Sequence, residues 1–169
     1  EVGNKKLHIH TTHIPPGSSN GWIKIETIKG IVGYFSDNSD NNQILCGDFN
    51  TPQKEDVENG IITFGQTIRS SGEVVTKKQF RGGLGYYWDE GERSLFTDLR
   101  EYGLVDVFRK LNPNNFNAYS WLIIRQGRSF TKRLDHIFAD KQLEAISCNY
   151  HETPRELSDH LPIVAEFGY

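Results

Sequence analysis

An α/β fold is what this sequence predicts, and three observations predict it. Leu7-His8-Ile9-His10 alternates apolar and polar residues, as a half-buried strand does. Further on, Ile25, Ile28, Val32 and Phe35 recur at intervals of three and four, which places them on one face of a helix. Short apolar runs then follow along the chain, and the chain's carboxylate motifs end or begin at these strands. Side chains at such places are held rigidly enough for chemistry.

The elements follow in order. Residues 7–14 read as a strand, stopped by Pro15-Pro16-Gly17. Ser18, Ser19 or Asn20 can cap the helix that carries Ile25 to Phe35. Asp37-Asn38-Ser39-Asp40-Asn41-Asn42 is a polar turn cluster, and residues 44–46 form a short buried strand. Residues 51–93 are punctuated by Gly82, Gly83, Gly85 and Gly91; they read as a long, partly ordered insertion over the site. Within it Tyr86-Tyr87-Trp88 reads as satellite core under a loop, with base stacking as the alternative. Residues 94–102 read as a helix with Leu95, Leu99 and Tyr102 on one stripe and Gly103 as its stop. Residues 119–124, 134–139, 146–150 and 161–167 read as strands. No repeat, linker or second domain stands out.

Composition narrows the function classes. The 169 residues carry a formal charge of -3, so a strongly basic nucleic-acid coat is excluded while a local basic patch is not. No apolar run is long enough to span a membrane, and a cytoplasmic location is the expectation. Cys46 and Cys148 are too few for a disulfide framework. No Cys/His cluster has zinc spacing.

The chemistry sits in widely separated motifs. Gly47-Asp48-Phe49-Asn50 follows an apolar run; Tyr119-Ser120-Trp121 and Arg133-Leu134-Asp135-His136 come later; Ser158-Asp159-His160-Leu161-Pro162 precedes the last strand. Asp, Asn and His are the residue types that activate a water, orient a phosphate and stabilise the charge that builds on it. This ordered set resembles the endonuclease/exonuclease/phosphatase superfamily, over nearly the whole chain. Leu104-Val105-Asp106-Val107-Phe108-Arg109 matches a further family segment. The resemblance implies part of a four-layer α/β sandwich, two packed mixed sheets flanked by helices, of the deoxyribonuclease I type. It also implies that residues 1–169 are the carboxy-terminal portion of one such domain, the amino-terminal half with its metal-binding Glu lying outside the chain. Inactivity of the chain by itself, or a non-catalytic binding relative, is then an alternative.

Carried over residue by residue, Asp48 matches the family's general base, against a plain Asx-turn. Asn50 would donate its amide to a phosphate oxygen or the attacking water, where a carboxylate would repel the anion. His160 matches the histidine beside the scissile phosphate, and Asp135 the carboxylate that orients it; a strand-edge salt bridge with Arg133 is the structural alternative for Asp135. Asp159 matches a residue near the metal, and His13 a strand-end histidine that assists at phosphate; His8, His10, His136 and His151 read as structural. Oxygen ligation and phosphate chemistry imply Mg²⁺ or Mn²⁺. Trp121 with Arg125, Arg128, Lys132 and Arg133 would track a phosphate backbone, against a plainly solvated hairpin. A DNA nuclease is the leading expectation, with nucleic acid as partner. A phosphatase or phosphodiesterase on a small or lipid-linked phosphate is the alternative.

Overall fold

A computed structural model describes residues 6–38 and 41–168. In chain order its elements are β1 (His8–His13), α1 (Gly17–Asn20), α2 (Ile23–Asp37), β2 (Gln43–Asp48), β3 (Lys54–Asp56), β4 (Gly60–Ile62), β5 (Gln66–Ile68), β6 (Val74–Thr76), β7 (Gln79–Phe80), β8 (Gly83–Leu84), α3 (Gly85–Glu101), β9 (Leu104–Asp106), α4 (Val107–Leu111), β10 (Trp121–Arg125), β11 (Arg128–Lys132), β12 (Asp135–Asp140), β13 (Ala145–Tyr150) and β14 (Ile163–Phe167). They divide into two compact units. The first takes residues 6–12, 41–49 and 103–168, the second residues 13–38 and 50–102.

The first unit is built on a four-stranded sheet in the order β1-β2-β12-β9, with β12 antiparallel to both β2 and β9. His136 through Asp140 are all buried on β12, the pattern of a strand covered on both faces. Val107 and Phe108 of α4 pack with Ile44, Ile137, Ala139 and Cys148 into a core. Truncating a buried phenylalanine such as Phe108 to alanine costs about 3–5 kcal/mol. Asp106 caps α4 through the Arg109 amide at 3.0 Å. Two further antiparallel pairs, β10-β11 and β13-β14, complete the unit. Gly47 on β2 has φ +144°, and a Cβ there would lie 1.8 Å from the Thr12 carbonyl oxygen, so only glycine lets the strand pass.

The second unit packs α2 against α3. The expected apolar face of α2 is borne out, with Ile25, Ile28, Val32 and Phe35 buried. Its start differs from the expectation: residues 17–20 form the short α1, and Trp22 caps α2 without a side-chain hydrogen bond. The middle of the expected polar turn, Ser39 and Asp40, lies outside the described residues. Helix α3 starts at Gly85 rather than at residue 94, and so takes in Gly85 and Gly91, two of the four glycines that read as breakers. Gly91 explains the departure: a Cβ there would come within 2.7 Å of Ile25 Cγ2, so the helices meet over a missing side chain. The stretch before α3 is three small hairpins, β3-β4, β5-β6 and β7-β8, not a partly ordered loop. Trp88 is fully buried edge-on between Trp22 and Phe80, as satellite core demands, while Tyr86 and Tyr87 remain exposed.

Candidate active site

The site of the first unit begins with strand register. Asp48, the last residue of β2, stands directly opposite Asp135, the first residue of β12. Residues opposite one another in an antiparallel pair share a face, so two carboxylates meet at one end of the sheet. His160 arrives from the segment before β14 and places its Nδ1 2.8 Å from Asp135 Oδ2. One donor atom each from Asp48, Asp135 and His160 fall within 4.8 Å of one another, and all three residues are half-buried. The Asp135 hydrogen bond, countered by burial and helped by the charges of Asp135, Asp48 and Asp159, raises the His160 imidazole above its ordinary value. A histidine tied to a carboxylate through Nδ1 keeps its tautomer and leaves Nε2 for substrate. An oxygen-rich group with one imidazole also suits a hard divalent cation such as Mg²⁺ or Mn²⁺.

Three residues that sequence reading passed over hold this arrangement. Ser120 is fully buried, and its Oγ accepts from the amides of Leu134 at 2.8 Å and Asp135 at 2.9 Å. Its carbonyl accepts from the Leu161 amide at 2.6 Å, so one residue ties both halves of the His160–Asp135 pair. The Tyr150 hydroxyl donates to the Asp135 carbonyl at 2.6 Å. Phe49 is fully buried, donates its amide to the Leu134 carbonyl at 2.9 Å, and packs edge-on against His136 and Phe138. Ser120 lies inside the Tyr-Ser-Trp motif, and that was the available signal; Tyr150 had none.

The remaining expected residues separate. Asp159 is exposed and accepts from the Trp121 indole N–H at 2.9 Å; it is not one of the three clustered groups. Arg133 leaves the hairpin cations: it is buried, donates to Asp106 Oδ2 at 2.7 Å and lies 2.9 Å from His136 Nδ1. Its guanidinium therefore faces the interior, and its ion pair is with Asp106 rather than Asp135. Burial works to raise the Asp106 carboxyl, but Arg133 and His136 hold it far below the usual carboxylate range. Arg125 and Arg128 are exposed at the tip of β10-β11. There Trp121 pairs with Lys132, Ile123 with Phe130 and Arg125 with Arg128. Alternation along each strand gives these six a common face, and Lys132 Nζ lies 4.9 Å from the Trp121 ring centre.

Asn50 and His13 belong to the second unit. Asn50 adopts a left-handed φ of 51°, and its Nδ2 donates to the Ile14 carbonyl at 3.0 Å. His13 ends β1 and is exposed.

The model of the endonuclease/exonuclease/phosphatase family matches residues 6–160. The chain belongs to this family. It is 35% identical over 108 residues to an exodeoxyribonuclease III of Haemophilus influenzae, covering 57% of this chain and 39% of the relative. It is 31% identical over 125 residues to an exodeoxyribonuclease of Bacillus subtilis, covering 71% of this chain and 42% of the relative. The chain thus spans about two fifths of the length of these curated relatives. Among solved structures, an AP endonuclease from Archaeoglobus fulgidus superposes with a TM-score of 0.64 at 23% identity, over 95% of this chain and 61% of that one. A 3' phosphatase from Neisseria, solved with a product DNA hairpin, gives 0.60 at 17% identity, over 96% and 62%. These likenesses show the fold, and the α/β class expected from the sequence is borne out. Among the described residues no helix is long and apolar enough to cross a membrane.

Proposed function

We propose that this family member is a divalent-metal-dependent phosphodiester hydrolase acting on DNA. The observation that carries the reading is the cross-strand meeting of Asp48 with Asp135, and of Asp135 with His160. In this reading Asp48 takes the proton of the attacking water. Asp135 holds the imidazole, and protonated His160 donates to a phosphoryl oxygen as negative charge builds there. Asn50 adds a neutral donor that does not repel the anion, and His13 assists at the phosphate. A bound Mg²⁺ or Mn²⁺, held by carboxylates of this group with Asp159 nearby, would supply Lewis-acid stabilisation of that charge. Trp121 and the cations Arg125 and Arg128 would carry the backbone of the substrate strand. The names of the sequence relatives support DNA as substrate.

The test is cleavage of duplex DNA, with and without an abasic site, in Mg²⁺ or Mn²⁺. Asp48→Asn should lower kcat by at least about 100-fold, the scale of losing a general base, with an unchanged circular-dichroism spectrum. Near-normal turnover in that variant would sink the role. A soluble phosphomonoester in the same assay separates the second reading, hydrolysis of a small or lipid-linked phosphate.

A further inference from the structure

Two charged side chains are buried in the second unit: Lys24 on α2, 1% exposed, and Glu92 on α3, fully buried. Taking two charges out of water costs more than their attraction returns unless further hydrogen bonds satisfy both, and an apolar pair holds two helices as well or better. Both charges have such extra hydrogen bonds here, and that of Lys24 goes to Asn50. Lys24 Nζ donates to Glu92 Oε1 and, at 2.7 Å, to the main-chain carbonyl of Asn50. The ring of Phe64 lies 4.6 Å from the ammonium. Glu92 Oε2 accepts the Phe64 amide at 2.6 Å, and the buried Thr51 hydroxyl also faces this carboxylate. The absence of a side chain at Gly91, next to Glu92, lets α3 close on Ile25, next to Lys24.

We propose that Lys24, held by Glu92, is a positioning residue for Asn50: its ammonium pins the Asn50 carbonyl and so fixes the direction in which the Asn50 amide is presented to a phosphate. This rests on the catalytic reading of Asn50 given above. A left-handed asparagine has extended and right-handed alternatives of similar energy. An anchor on its carbonyl selects among them, and the Ile14 carbonyl on Nδ2 then fixes the plane of the amide. A cation fits the task because its hydrogen bond to a carbonyl is charge-assisted. A buried lysine needs a carboxylate behind it, which is the part Glu92 plays.

Lys24→Met alone leaves Glu92 buried without its partner and is prone to unfold. The informative variant is Lys24→Met/Glu92→Gln, which removes both charges and keeps an acceptor for the Phe64 amide. Folded, it should lose about 10-fold to 100-fold in kcat with KM little changed, the scale of a misplaced group. In an Asn50→Ala background the same pair of changes should cost nothing further. Hydrogen exchange at the Asn50 side-chain amide, followed by nuclear magnetic resonance, should quicken while the β5-β6 hairpin keeps its protection. Wild-type kcat in the folded double variant, a loss of equal size without Asn50, or unchanged exchange at Asn50 overturns the proposal. An Asn50→Ala variant as active as wild type, or a wild-type chain that cleaves no phosphodiester, removes instead the catalytic reading. The exchange measurement needs no turnover and still decides whether Lys24 holds Asn50.

Discussion

At the scale of single residues, the His160–Asp135 pair sets the pH behaviour. The folded imidazole titrates above its ordinary value, chiefly through the Asp135 hydrogen bond. The pair therefore adds stability that is fully present below about pH 6.5, the unfolded value. That contribution is lost as pH rises through the higher folded value. If His160 works protonated, turnover falls over the same upper window. Asp135→Asn removes the main cause of the shift, so the alkaline limb of a kcat profile should move to lower pH; a limb that stays in place would exclude His160 as its origin. Ser120→Ala should cost about 1–3 kcal/mol, because the buried Leu134 amide and the half-buried Asp135 amide lose their acceptor, read by urea denaturation, and should lower kcat more than it raises KM. The three residues that cluster, Asp48, Asp135 and His160, were legible as candidates because they belong to short motifs whose residue types match one chemistry. Arg133 was not legible as an interior residue. Its partner Asp106 lies in another motif, and only the fold brings an arginine and a carboxylate together out of water.

At the scale of elements, periodicity located what packing later used. The stripe of α2 was readable because it buries one face on a regular period, and β2 and β12 because they carry short apolar runs whose successive residues are buried. Helix α3 was readable only from residue 94, since glycine is a poor helix former and four glycines precede that point. What keeps those residues helical is tertiary: Trp88 and Glu92 are fully buried, and Gly91 is the contact point with Ile25. Two substitutions of the same kind should therefore go opposite ways. Gly33 on α2 is exposed, with nothing within 4 Å of a new Cβ, so Gly33→Ala should stabilise by about 0.5–1 kcal/mol through helix propensity. Gly91→Ala must push its methyl into the stiff, buried Ile25, and overpacking of about 1–3 kcal/mol outweighs the same propensity gain. Thermal melts of the two variants, rising for one and falling for the other, check the argument; two rises would mean the helices can separate freely at Gly91.

At the scale of the whole molecule, charge decides how a polyanion would be bound. The chain carries -3 overall, so its summed field does not draw DNA in, and affinity must come from a local cationic surface. In the proposed reading the face of the β10-β11 hairpin would supply one, with Arg125, Arg128 and Lys132 beside Trp121, Ile123 and Phe130. Arg133, turned inward onto Asp106, does not add to it. Burial first and the charge of Arg125 second pull the Lys132 ammonium below its ordinary range, which marks Lys132 as the most sheltered cation of the hairpin face. Binding that depends on a few phosphate contacts has a shallow salt dependence, with a slope of about -0.9 per contact in log K against log salt. Arg125→Ala and Arg128→Ala should each reduce the slope by about one unit and weaken binding to all duplexes alike. Trp121→Ala should leave the slope unchanged and lower affinity through lost stacking of about 1–3 kcal/mol. Titrations of an oligonucleotide at several salt concentrations separate these effects. If the arginine variants keep the wild-type slope, the hairpin is a solvated turn and the phosphate contacts lie elsewhere.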